Sequence, residues 1–179
     1  MIGHVKGIMK LIIFSGLPGT GKSTLAEAVG HYLGFPVFAK DWLEASLLQS
    51  GLTSTDKTRS LGYASYELLT LLAKRQLILG QSVILDSVAA TRSIRSEWGR
   101  LAKQYQAERR VIECVCSNEM MHRARLKVRR RRIPGWHELE WSEVERVKRY
   151  YLPWRQAHLT LDMANPFKVN FARAIAYCE

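Results

Sequence analysis

Eight residues near the start of the chain, Gly16-Leu17-Pro18-Gly19-Thr20-Gly21-Lys22-Ser23, meet every fixed position of the pattern G-x-x-x-x-G-K-[ST]. Glycines at these intervals let successive backbone N–H groups converge on one anion, and a helix opening behind them adds partial positive charge. Phosphate is the anion that such a loop suits. In this pattern Lys22 extends along the β- and γ-phosphates of a nucleoside triphosphate, and the Ser23 hydroxyl ligates Mg²⁺. Thr24 offers a second, weaker hydroxyl and equally suits the start of a helix. Chance would place the full pattern in well under about 1% of chains of this length, so a merely Gly-rich turn is the weaker explanation.

Two acids follow at telling places. Asp86 ends the apolar run VILD, the carboxyl end of a buried strand, where open α/β sheets bind their ligands. It can hold Mg²⁺, in part through water, contact substrate, or simply cap a helix. Asp41 comes after PVFA and just before WLEASLL. Asp suits an N-cap there, and the same carboxylate would face the phosphate loop across a cleft, near enough to accept a proton from an acceptor hydroxyl.

A third cluster is cationic. HRARLKVRRRRIPGWHE, residues 122–138, carries seven basic residues between Arg123 and Arg132, and its helical period breaks at Pro134-Gly135. A hinged lid is the natural reading. In a helix Arg125 and Arg129 stand four apart and face one way, while Arg130, Arg131 and Arg132 fan out near the break, and at least two of them should reach the cleft. A planar guanidinium suits the negative charge that spreads over the equatorial oxygens during phosphoryl transfer. A solvated basic face and a strip that contacts nucleic acid are the alternatives.

Such groups need a frame, and the rest of the sequence supplies one. Apolar, β-rich runs at Leu11–Ser15, Pro36–Ala39, Val83–Asp86, Val111–Cys116 and Leu159–Asp162 alternate with segments of helical period. The alternation predicts βαβ units around a five-stranded parallel sheet, its strands buried on both faces. Helices are expected at Lys22–Leu33, Trp42–Gln49, Leu61–Leu79, Ser93–Tyr105, Glu119–Arg131, Trp141–Tyr151 and Val169–Tyr177, with a polar loop over Ser50–Arg59. Leu68, Leu69, Leu71 and Leu72 read as a buried stripe.

At 179 residues, with 47% hydrophobic and 24% charged, the chain suits one compact domain, read as 10–179 with residues 1–9 as a tail. The net charge of +11 suits anionic partners without choosing among them. Cys114, Cys116 and Cys178 are an odd count and read as thiols of a reducing compartment, which makes the cytoplasm the expected location. No apolar run reaches the eighteen or so residues that span a membrane, and His122, His137 and His158 show no metal-ligand spacing.

In element order, phosphate loop, Asp41, the later ILD and the Arg-rich segment, the chain resembles the small P-loop kinases: shikimate and gluconate kinases, chloramphenicol phosphotransferase and polynucleotide kinases. The resemblance implies a three-layer α/β/α nucleotide kinase-like fold of the P-loop nucleoside triphosphate hydrolases. It implies ATP and Mg²⁺ as cofactors, Asp41 holding or deprotonating an acceptor hydroxyl, lid arginines (Arg125 and Arg129 first, Arg123 and Arg130 next) closing over the nucleotide, and Ala164, Asn165 and Pro166 beside the adenine. The acceptor pocket would come from 41–51, 54–66 and 87–95, with Trp42 stacking on the acceptor and Arg59, Arg92 and Arg95 near it. Trp136, Trp141, Tyr150, Tyr151 and Trp154 read as core aromatics, with base stacking by one of them the alternative.

Three functions fit these readings. The first is transfer of the γ-phosphate of Mg-ATP to a hydroxyl of a small molecule. The second is a nucleotide or polynucleotide 5′-kinase, with nucleic acid as partner. The third is a nucleotide-switched ATPase module with no small acceptor.

Overall fold

A computed structural model describes residues 8–52 and 60–179. Five strands, β1 (Lys10–Ser15), β2 (Val37–Ala39), β3 (Val83–Asp86), β4 (Glu108–Val115) and β5 (Leu159–Asp162), form one parallel sheet in the order β2-β3-β1-β4-β5. Among the described residues seven helices connect or follow them: α1 (Lys22–Leu33), α2 (Lys40–Gln49), α3 (Leu61–Ile78), α4 (Arg92–Gln104), α5 (Glu119–Val128), α6 (Trp141–Lys148) and α7 (Phe167–Cys178).

Strand side chains alternate between faces, so each central strand feeds two cores. Leu11, Ile13, Val83 and Leu85 pack with Leu69, Ala73, Leu77 and Trp98 of α3 and α4. Ile12, Phe14, Ile84 and Ile112 pack with Leu25, Val29, Ala174 and Ile175 of α1 and α7. The result is the expected three-layer α/β/α fold. Trp98 is fully buried, yet its indole N–H donates to Thr70 Oγ1 at 2.9 Å, which removes the penalty of burying that polar group.

Several expectations shift. In α3 the buried line is Ser65, Leu69, Ala73 and Leu77, spaced by four, and Leu71 is exposed, because only one narrow face of the helix meets the sheet. α5 stops at Val128 instead of running to Arg131, with Arg129 already extended. Four adjacent guanidinium groups repel one another in a helix, and outside one they can find separate partners. Within the polar stretch read as a loop, residues 53–59 lie outside the described residues, Arg59 among them; so do residues 1–7 of the expected tail. No helix among the described residues is long and apolar enough to cross a membrane.

Candidate active site

Strand register brings the chemistry together. Phe14 stands opposite Asp86, and Asp86 opposite Ala39, so the loop after β1, the end of β3 and the start of α2 lie along one sheet edge. That edge is where successive connections diverge, β1 leading toward β2 on one side and β4 toward β5 on the other. Open parallel sheets bind ligands at such a point.

The phosphate loop is pressed between two neighbours that leave no room for side chains. Gly16 has φ +139°, and a Cβ there would lie 2.2 Å from the Cys114 carbonyl oxygen of β4. Gly19 has φ +81°, and its Cβ would lie 2.8 Å from Leu126 Cδ1 of α5. Gly21, also left-handed, stands at the N-cap of α1 without a side-chain cap, which leaves the first N–H groups of that helix to an anion. Lys22 is 5% exposed, and burial pushes its ammonium pKa down; Asp86 opposes that shift, while Arg129 and Arg131 add to it. A loop this positive and this buried is matched by a polyanion.

Ser23 Oγ and Asp86 Oδ1 are buried and have no hydrogen-bond partner among the described residues. An orphaned buried polar group costs about 1–3 kcal/mol, more when charged, and persists where something else completes it. A hydroxyl and a carboxylate are oxygen donors of the kind Mg²⁺ takes, together with phosphate oxygens and water. These two residues therefore fit the cation. Ser87 Oγ, next to Asp86, is likewise buried, on the side of the Tyr66 hydroxyl.

Two cavities flank the loop. One, of about 330 Å³, is lined by Gly19, Gly21, Lys22, Ser23 and Thr24, by Arg125, Val128 and Arg129, and by Met163, Asn165 and Phe167. The second, of about 460 Å³, includes Pro18, Lys22, Asp41, Tyr66, Arg129 and Trp136 in its walls. Lys22 and Arg129 line both. Gly16, Leu17 and Thr20 turn instead to a third hollow behind the loop, beside β4 and α6. Thr20 also closes the turn, its hydroxyl donating to the Leu17 carbonyl at 3.0 Å.

Asp41 lies in the first turn of α2, one residue inside the helix, whose N-cap is Ala39. Its Oδ2 pairs with Arg131 Nη1, the side chains being 21% and 8% exposed. Next to it Lys40 pairs with Glu44 and has the rings of Tyr66 and Trp136 at 5.8 and 6.0 Å. Trp42 does not stack in this cavity. At 100° per residue it turns away from Asp41, is half exposed, and lines a separate groove with Glu27 and Phe38. Trp136, read from sequence as core, is the aromatic wall on the Asp41 side.

The arginines separate by partner. Arg125 Nη1 donates to the Met163 carbonyl at 2.7 Å, tying α5 to the loop after β5. Arg129 reaches both cavities, and Arg131, one of the three arginines expected to fan out near the break, takes Asp41. Arg95 is buried over the Trp154 ring, 4.0 Å from its centroid, and donates to the Ala89 carbonyl at 2.6 Å. Ala164 N–H donates to Asp162 Oδ1 at 3.0 Å, and of the three residues expected beside adenine Asn165 lines the first cavity.

Sequence reasoning also missed His122. Its Nε2 is 2.8 Å from the Pro18 carbonyl, which can only accept, so that nitrogen carries the proton. The ring stands edge-on to Trp141 with centroids 5.1 Å apart. The helix that opens the arginine segment is thereby fastened to the phosphate loop.

Solved structures share this architecture. A sugar kinase from Janibacter sp. is 18% identical, with a TM-score of 0.68 over 96% of this chain and 94% of that one. A gluconokinase from Sinorhizobium meliloti is 19% identical, at 0.68 over 96% and 92%. Kti12 of Chaetomium thermophilum, solved with ADP-AlF3, is 21% identical, at 0.69 over 94% and 99%. At these identities the likeness establishes the fold, that of the small P-loop kinases. No curated protein matches the chain. The family model described as AAA domain matches residues 11–153, from β1 past α6, and the chain belongs to that family.

Proposed function

We propose that the protein is a phosphotransferase that moves the γ-phosphate of Mg-ATP to a hydroxyl of a small molecule in the cytoplasm. One observation carries the reading: Lys22 and Arg129 line both the cavity beside the phosphate loop and the cavity that contains Asp41. A donor phosphate and an acceptor hydroxyl held on the two sides would meet at these cations. Paired cations between two pockets serve group transfer better than simple hydrolysis.

In this reading the acceptor hydroxyl donates a hydrogen bond to Asp41. Its oxygen attacks Pγ as the proton passes to the carboxylate, the bond from Pγ to the β,γ-bridging oxygen breaks, and ADP leaves. Lys22 and Arg129 stabilise the charge on the phosphoryl oxygens. Arg125 holds the loop after β5 against the nucleotide side, where Val128 and Phe167 offer apolar surface to a base. Ser23 and Asp86 would hold Mg²⁺, Asp86 directly or through water; when bound, the ion neutralises charge on the triphosphate. Among the described residues all three cysteines are free thiols, which supports a reducing compartment.

The test is a panel of sugars, polyols, phosphorylated metabolites and 5′-hydroxyl oligonucleotides incubated with γ-labelled ATP and Mg²⁺. Label in a small acceptor, lost in Lys22→Ala, is the expected result. Label in the oligonucleotides, with an affinity that falls steeply as salt rises, would move the assignment to a polynucleotide 5′-kinase. Label in inorganic phosphate alone would overturn transfer.

A further inference from the structure

We infer that Arg131 is a specificity residue that keeps Asp41 from working on water: without an acceptor its guanidinium occupies the carboxylate, and only an acceptor filling the cavity displaces it. The inference rests on the reading of Asp41 as the group that takes the acceptor's proton.

The pair is built in. Arg131 Nη1 meets Asp41 Oδ2 with the arginine side chain 8% exposed, and the Arg131 N–H donates to Glu138 Oε1 at 2.9 Å. The stretch 129–140 around it is clasped to α2 at further points. A Cβ on Gly135, whose φ is +70°, would lie 2.7 Å from Gln49 Cγ, and Trp136 faces the Lys40 ammonium. The segment between α5 and α6 is thus seated on the helix that carries Asp41.

The guanidinium fills Oδ2, an acceptor site of the carboxylate. Asp41 paired in this way is engaged before any water can use it. Lys22 and Arg129 keep their places, so the donor can be held while the base is silent. A water molecule offers Asp41 one hydrogen bond and nothing else. A larger acceptor adds contacts with Tyr66, Trp136 and the rest of the cavity, and that binding energy can be used to part the pair. Released, Asp41 would transfer phosphate to water by the same balance of bonds: water oxygen joins Pγ, the bridging bond breaks, ADP leaves, and the water proton passes to Asp41 and on to solvent.

The test reads hydrolysis without an acceptor, beside the acceptor panel described above. Mg-ATP hydrolysis by the full chain is compared with Arg131→Gln, Arg131→Met, Arg131→Lys and Arg131→Gln/Asp41→Asn, each checked for folding by its melting curve and for nucleotide binding with a fluorescent ATP analogue. Loss of the guanidinium should raise hydrolysis by about 100-fold, the lower end of what a freed general base contributes. Arg131→Lys, which keeps a cation beside Asp41, should leak less, and the double variant should lose the gain. Either neutral variant hydrolysing ATP no faster than the parent, or a gain that survives Asp41→Asn, overturns the inference. If the parent binds ATP and phosphorylates an acceptor yet neutral variants do not leak, the inference alone falls. If the parent binds no Mg-ATP, the phosphotransferase reading falls with it.

Discussion

His122 Nε2 lies 2.8 Å from the carbonyl oxygen of Pro18, a hydrogen bond across 104 residues that joins α5 to the phosphate loop. Burial lowers the pKa of this imidazole from 6.5, the Pro18 bond partly opposing. The unfolded chain therefore takes up a proton at a pH where the native state does not, and stability falls as pH drops below 6.5 toward the lowered native value. His122→Gln keeps a donor for Pro18 and cannot titrate. Melting temperatures recorded from about pH 8 down to about pH 5 should diverge, the parent falling more steeply than the variant below pH 6.5. Parallel curves would remove His122 from the acid sensitivity of the fold.

Ser23 should behave in opposite ways with and without nucleotide. Its hydroxyl is buried and unpartnered, so Ser23→Ala removes an unsatisfied group and should leave the free protein as stable as the parent or up to about 1 kcal/mol more so. With Mg-ATP the parent should gain in melting temperature and the variant much less. A Mg²⁺ titration of that gain is the check, with the variant's midpoint shifted to higher concentration by about 10-fold, the low end of the cost of losing a supporting metal contact. Equal midpoints would take Ser23 away from the cation.

Asp41→Asn preserves the shape of the side chain and removes its charge and basicity. The first-cavity residues do not include Asp41, so nucleotide affinity should stay within about 3-fold while kcat for phosphoryl transfer falls by about 100-fold or more. The variant also leaves Arg131, 8% exposed, without its carboxylate, so a drop in melting temperature should accompany the kinetic loss. Rates are best compared well below that temperature. A kcat close to the parent's would exclude Asp41 as the base.

What the sequence revealed and what it hid divide by range. Strands and the phosphate loop are local: continuous apolar runs fit a doubly covered sheet, and glycine spacing answers to backbone conformations at Gly16, Gly19 and Gly21 that hold in the structure. The places of Asp86 and Asp41 along one sheet edge were legible because a strand end fixes where the next residues go. Arg131 was not, since its assignment depends on α5 stopping at Val128 and on a partner 90 residues away. His122 carries no local signal either; its partner is the carbonyl of a loop 104 residues earlier. Val128, Met163 and Phe167 carry no local signal; they meet around one cavity only because separate parts of the fold bring them there.

The two tryptophans near Asp41 offer the sharpest contrast between chain proximity and spatial proximity. Trp42 is the sequence neighbour of Asp41, yet it lines a groove with Val37 and Leu43 on the other side of α2. Trp136 is 95 positions from Asp41 and shares its cavity, stacked on His137 with ring centroids 4.9 Å apart. An acceptor seated against Asp41 should therefore lose contact area when Trp136 is truncated and none when Trp42 is. Trp136→Ala should raise the acceptor KM by about 10-fold, the scale of one aromatic contact of about 1.4 kcal/mol, with ATP affinity little changed. Trp42→Ala should leave both constants close to the parent's, which guards against reading a general loss of stability as a loss of contact. The reverse pattern, with Trp42 carrying the effect, would mean that the acceptor binds outside the cavity containing Asp41 and would displace the site to the far side of α2.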